Sequence, residues 1–159
     1  MFYPSIQNFL STIQESCLLL ARHGETDWNS LGLVQGQQDR PLSPMGYQQR
    51  KNLFFRLFSV PLHHIFTSSL QRTIQTALPV SEEKGIELEK IVSFNEAKLG
   101  VFEGENKLNF SDSFSKNIYN TFLHDEVNIA LPGGGENLKM VHERIKKPLK
   151  KVLHATKKG

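Results

Sequence analysis

The chain has 159 residues, 38% of them apolar and 22% charged, with a net charge of +3. That length suits one domain, and the composition excludes a disordered or low-complexity chain. Its basic excess gathers late, at Arg144, Lys146, Lys147, Lys150, Lys151, Lys157 and Lys158, as on a solvated helix face. The first hundred residues carry no basic stripe interleaved with aromatics, so nucleic acid is not an expected partner.

No apolar stretch approaches membrane-spanning length, and the start lacks the pattern of a signal peptide, so neither membrane nor export is expected. The lone cysteine, Cys17, cannot form an internal disulfide; it reads as a buried packing residue in a cytoplasmic protein.

Residues 1–16 are expected to be an amphipathic helical extension, with Ile6, Phe9, Leu10 and Ile13 at helical spacing behind Pro4. Residues 17–21 form a continuous apolar run, as in a strand buried on both faces. The polar cluster Arg22-His23-Gly24 follows at once, where parallel sheets collect their ligands. Ser43 and Pro44 are N-cap and first-turn residues for a helix bearing Leu53, Phe54, Leu57 and Phe58, a region that Pro61 ends. Residues 64–67 suggest a second strand, Ser68 or Ser69 a cap for a helix bearing Arg72, Ile74 and Ala77, and residues 86–94 a third strand. The alternation implies an α/β fold. Residues 106–128 read as a helical insertion, and Pro132 to Gly135 as a loop. A final helix is expected from Asn137 to His154. Leu138, Val141, Ile145, Leu149 and Val152 form its inner stripe, and Pro148 should kink it.

The chemistry concentrates at Leu20 to Asn29, L-A-R-H-G-E-T-D-W-N. A phosphoryl-accepting nitrogen must be neutral and in line, with cations to gather the phosphate oxygens. Arginine suits that task because its planar fork matches phosphate. Arg22 stands beside His23, and Arg72 follows the second strand. The segment resembles the R-H-G-E-[ST]-x-x-N motif of the histidine phosphatase superfamily (phosphoglycerate-mutase-like). Gln35-Gly36, Asp39, Pro41-Leu42-Ser43 and Gly46 resemble its G-x-x-D-x-P-L-[ST]-x-x-G stretch, and Ser68 to Thr73 its S-x-L-x-R-[AT] motif. Glu96 to Gly100 and Phe102-Glu103-Gly104 are similar to its E-x-x-x-G-x-[FW]-E-G segment. Pro132 to Asn137 resembles its P-G-G-E-[ST] loop, with one extra glycine and Asn137 in the last place.

The resemblance implies a three-layer α/β fold, with a mostly parallel central sheet and helices on both faces, over residues 17–159. It implies that His23 forms a phosphohistidine and that Arg22 and Arg72 hold the phosphoryl oxygens. Asn29, Gln35 and Gly36 would line the pocket. Glu96 would be the general acid and then the base that activates water, a role that suits a carboxyl whose surroundings tune its pKa. It implies no cofactor and no metal, the arginines supplying the positive charge. His63, His64, His124, His142 and His154 lack metal spacing, and Glu103-Gly104 reads as structural. The family also uses a second histidine, on an apolar strand after the last helix; the sequence stops where that strand should begin, so a fragment with its C-terminal strand missing is expected. The partner expected is a small phosphorylated substrate, with a homo-oligomer left open.

Hydrolysis of phosphomonoesters is the leading expectation. The alternatives are mutase-type phosphoryl transfer and a non-catalytic phosphate-binding module. The resemblance favours the phosphatase branch, because Leu99 stands where mutases of this family usually carry an aromatic residue.

Overall fold

The computed structural model describes residues 17–106, 110 and 112–155. The expected N-terminal helix and the last four residues lie outside these. In chain order the elements are α1 (Asp27–Ser30), α2 (Pro44–Leu57), β1 (Ile65–Thr67), α3 (Gln71–Lys84), β2 (Leu88–Lys90), two single 3-10 turns (Val92–Phe94 and Gly100–Phe102), α4 (Ser113–His124) and α5 (Leu138–Ala155).

The α/β alternation in the middle of the chain is present. β1 and β2 pair in parallel, with Ile65 opposite Leu88 and Thr67 opposite Lys90, and α3 makes the crossover between them. The expected third strand is shorter than its apolar pattern, because the chain turns into a 3-10 helix at Val92. Residues 17–21 are not a strand. Leu18, Leu19 and Leu20 are 41%, 39% and 89% exposed, and Cys17 is exposed rather than buried. An apolar run supplies the drive for burial, but a strand forms only when its backbone finds a ladder partner, and here it finds none among the described residues.

The helix starts follow local chemistry. Ser43 caps α2 by accepting a bond from the Gly46 N–H, with Pro44 in the first turn. Asp112 caps α4 through the Ser115 N–H, and Asn137 accepts from the Met140 N–H at the start of α5. At α3 the expected serine cap is absent. Leu70 occupies the N-cap position with no side-chain bond, and Asp39, from a distant loop, accepts from the Gln71 N–H at 2.7 Å. Ser69 is turned instead to Asn95, donating to its Oδ1 at 2.9 Å. α5 is continuous through Pro148. Its stripe is only partly covered: Val152 is buried, Val141 and Ile145 are half-buried, and Leu138 and Leu149 are exposed.

Val34, Phe102, Phe122 and Leu131 form a buried cluster, with Leu99, Phe110, Ile118, Tyr119 and Ile129 packed around it. Phe102 meets Phe110 edge to face, with ring centroids 5.5 Å apart. This cluster joins the Val34 strand-like segment, the Gly100–Phe102 turn and α4. It thereby anchors the loops on either side of it, residues 35–39 and 95–99, which carry candidate site residues.

Candidate functional site

His23 lies in an irregular segment that is fixed by its neighbours. The Gly24 N–H donates to Thr76 Oγ1 of α3 at 2.9 Å. The Ser43 N–H donates to the Glu25 carbonyl at 2.8 Å, and Ser43 Oγ donates to Glu25 Oε1 at 2.8 Å. The start of α2 comes so close that a Cβ on Gly46 would sit 2.1 Å from the Glu25 carbonyl oxygen. Glycine is therefore required at Gly46 to let the two backbones meet.

The imidazole itself is half-buried. Its Nδ1 lies 2.7 Å from the Gly24 carbonyl oxygen. A carbonyl can only accept, so the proton sits on Nδ1 and the Nε2 lone pair is free. Burial pushes the His23 pKa below its ordinary value, and the charges of Arg72 and Arg22 push the same way. The Gly24 contact and Glu96 oppose them. The ring is thus biased toward the neutral, nucleophilic form. The charges of Arg22, Arg72 and Glu96, from three separate stretches of chain, thus all act on His23.

Arg72 is 2% exposed. Its Nη2 donates to the Gly36 carbonyl at 2.8 Å and its Nη1 to the Gln38 carbonyl at 3.0 Å. Burial lowers its pKa, against the pull of Glu96, Asp39 and Glu103, yet a guanidinium stays charged in a protein. Its Nε is buried with no hydrogen-bond partner among the described residues. A buried cationic donor left unpaired is costly unless an anion meets it.

Gly36 has φ +52°, and a Cβ there would lie 2.1 Å from Glu103 Oε1. That carboxylate accepts from the Gln37 N–H at 3.0 Å and the Leu99 N–H at 2.9 Å. Its other oxygen accepts from Gln38 Nε2 at 3.0 Å. Glu103 therefore clasps the 36–38 loop that presents its carbonyls to Arg72. Gln35 is buried; its Oε1 accepts from Thr26 Oγ1 at 2.8 Å, and its Nε2 has no partner among the described residues. Asn29 belongs to a capping box: its Oδ1 accepts from the Thr26 N–H, and its own N–H donates to Thr26 Oγ1. Among the described residues its side chain is linked to the site through Thr26 and Gln35.

Glu96 is exposed on the 95–99 loop, with its Oε1 accepting from the Ala97 N–H at 2.9 Å. Gln37 Nε2 donates to the Glu96 carbonyl at 2.7 Å. Thr76, Gln37 and Gln38 are participants that sequence reasoning passed over. Thr76 sits one helical turn after Arg72, and its hydroxyl donates to the Arg72 carbonyl at 2.6 Å. That i, i+4 spacing was the available signal. The arrangement offers an imidazole biased toward its neutral form, two arginines and a carboxylate, a set able to gather an anion and exchange a proton beside it.

Comparison with known proteins identifies the family. Residues 18–159 match the histidine phosphatase superfamily (branch 1). The chain is 38% identical over 86 residues to the protein named probable phosphoglycerate mutase GpmB of Yersinia enterocolitica, covering 54% of this chain and 40% of that one. It is 32% identical over 135 residues to phosphoserine phosphatase 1 of Hydrogenobacter thermophilus, covering 85% and 63%. The chain therefore spans less than two thirds of the length of either relative. The crystal structure of the alpha-ribazole phosphatase from Shigella flexneri superposes with a TM-score of 0.73 at 27% identity, covering 84% of this chain and 65% of that one. The chain belongs to the histidine phosphatase superfamily, branch 1.

Proposed function

We propose that this chain supplies the phosphoryl-accepting site of a phosphomonoesterase. The observation that carries the proposal is the His23 ring, with Nδ1 committed to the Gly24 carbonyl and Nε2 free, in the field of Arg22 and Arg72. In the first step Nε2 forms a bond to phosphorus as the bond to the ester oxygen breaks, and Glu96 gives that oxygen a proton. In the second, Glu96 takes a proton from water, the water oxygen bonds to phosphorus, and the nitrogen–phosphorus bond breaks. Inorganic phosphate leaves and both residues return to their starting forms. Arg22 and Arg72 hold the non-bridging oxygens, with the unpaired Arg72 Nε as one donor. Gln35 Nε2 and the 36–38 loop complete the wall, and Asn29 supports it through Thr26.

The substrate class is a small phosphorylated molecule, in keeping with relatives named for phosphoserine and alpha-ribazole phosphatase activity. Among the described residues no helix is long and apolar enough to cross a membrane, and we place the protein in the cytoplasm on the single-cysteine argument. Mutase-type transfer is the second reading, favoured by the relatives named as phosphoglycerate mutases. The discriminating experiment is steady-state release of inorganic phosphate from a panel of phosphomonoesters by the full-length protein, with 3-phosphoglycerate and a bisphosphoglycerate primer in parallel. Phosphate release on the panel supports the phosphatase. Isomerisation of phosphoglycerate without net release supports the mutase, and neither product overturns both readings.

A further inference from the structure

Glu96 sits on a loop with no regular secondary structure beyond one 3-10 turn on each side. A carboxyl on such a loop delivers a proton reliably only if the backbone beneath it is fixed. The fixation comes from α5. Arg144 donates through Nη2 to the Glu96 carbonyl at 3.0 Å and through Nη1 to the Ser93 carbonyl at 2.5 Å. The same guanidinium makes a two-point bond to Glu136, Nε to Oε1 at 2.7 Å and Nη2 to Oε2 at 3.0 Å. Glu136 in turn accepts from the Lys98 N–H at 2.9 Å and donates its own N–H to the Lys98 carbonyl at 2.8 Å. The ion pair is well shielded, with side chains 21% and 13% exposed. Burial pushes the Glu136 carboxyl up, but the Arg144 and Lys98 contacts outweigh it and hold the pKa below the ordinary range.

The loop is thus gripped on both sides of Glu96, at Ser93 and Lys98, and at Glu96 itself. Every one of these contacts is to backbone, so the pair fixes where the carboxyl starts without competing for its oxygens. Gln37 bonds the same Glu96 carbonyl from the loop that faces Arg72, which ties acid position to phosphate position.

We infer that Arg144 and Glu136 are positioning residues that hold Glu96 in register for proton delivery to the leaving oxygen. The inference rests on the proposed acid role of Glu96. It predicts a loss that depends on the leaving group, since an acid matters most where the departing oxygen is most basic. A defect of packing alone would slow all esters alike.

The test uses the full-length protein and kcat/KM, which reports events through departure of the leaving group. Phenyl phosphate and p-nitrophenyl phosphate are compared for wild type, Glu96→Gln, Arg144→Lys and Glu136→Gln. Arg144→Lys keeps the charge but loses the planar fork that spans three acceptors, and Glu136→Gln keeps the shape; both disturb the packing less than Arg144→Ala. Arg144→Lys and Glu136→Gln are expected to lower kcat/KM on phenyl phosphate on the order of tenfold more than on p-nitrophenyl phosphate, following the direction of Glu96→Gln. Equal losses on the two esters in the clasp variants, beside a selective loss in Glu96→Gln, would overturn the positioning role and leave the acid intact. Equal losses in Glu96→Gln itself would overturn the acid role and the positioning role with it.

Discussion

Replacing Gly36 by alanine should do damage out of proportion to one methyl group. Gly36 and Gly32 both have positive φ, +52° and +70°. At Gly32 an added Cβ meets nothing within 4 Å, whereas at Gly36 it meets Glu103 Oε1 at 2.1 Å. Gly32→Ala therefore measures the left-handed backbone cost alone, about 1 kcal/mol. Gly36→Ala carries that cost and must also displace the carboxylate that accepts from the Gln37 and Leu99 N–H groups. Losing one charge-assisted bond adds roughly 2 kcal/mol and losing both adds about 4. The expected destabilisation is about 3–5 kcal/mol, a large share of the ~5–15 kcal/mol typical of a domain. Urea unfolding of the two variants beside wild type gives the difference directly. If Gly36→Ala and Gly32→Ala unfold at the same midpoint with the same slope, Glu103 does not clasp the loop and the description of the Arg72 cradle is wrong.

Thr76→Val removes the acceptor for the Gly24 N–H while keeping shape, and should cost about 1–3 kcal/mol in urea unfolding; no change would mean that Gly24 is not pinned there. Arg72→Lys should weaken binding of orthovanadate or phosphate roughly 10–100-fold by calorimetry, since one charge-assisted bond is lost; unchanged affinity would remove Arg72 from the anion site. The His23 pKa is lowered from 6.5 in the folded state, by burial and then by Arg72 and Arg22. The unfolded chain therefore binds more protons, and stability falls as pH drops through 6.5 toward the lowered folded value, levelling below it. Above 6.5 the residue contributes no slope. Unfolding midpoints from pH 8 to 4 for wild type and His23→Gln should diverge in that window, and parallel curves would contradict the shift.

The middle of the fold was legible because its signals are local. Ser43 and Pro44 announce α2, the stretch at 64–67 contains β1, and the stretch at 86–94 contains β2. The run at 17–21 was misread because apolarity specifies burial but not the partner strand that makes a ladder. Cys17 was misplaced for the same reason. The α3 cap was misassigned because its acceptor is Asp39, thirty-two residues away, beyond any local pattern. At the site, family motifs brought His23, Arg22, Arg72 and Glu96 to notice, and the charges of the last three all bear on the His23 imidazole. Asn29, expected at the pocket wall, closes the capping box of α1 as its third helical residue, behind the N-cap Thr26. Gln37 and Arg144 reach the site through backbone carbonyls, contacts that residue type does not announce, and Glu136 stands in a motif that names the residue but not its partner Arg144.

The central claim is that His23 accepts the phosphoryl group. The most direct measurement is to mix the full-length protein with p-nitrophenyl phosphate, quench rapidly in alkali, and locate the adduct by mass spectrometry. An acid-labile, alkali-stable phosphoryl group on His23, absent from His23→Ala, is the predicted result. Undiminished labelling of His23→Ala, or turnover with the phosphoryl group trapped on another residue, would contradict it.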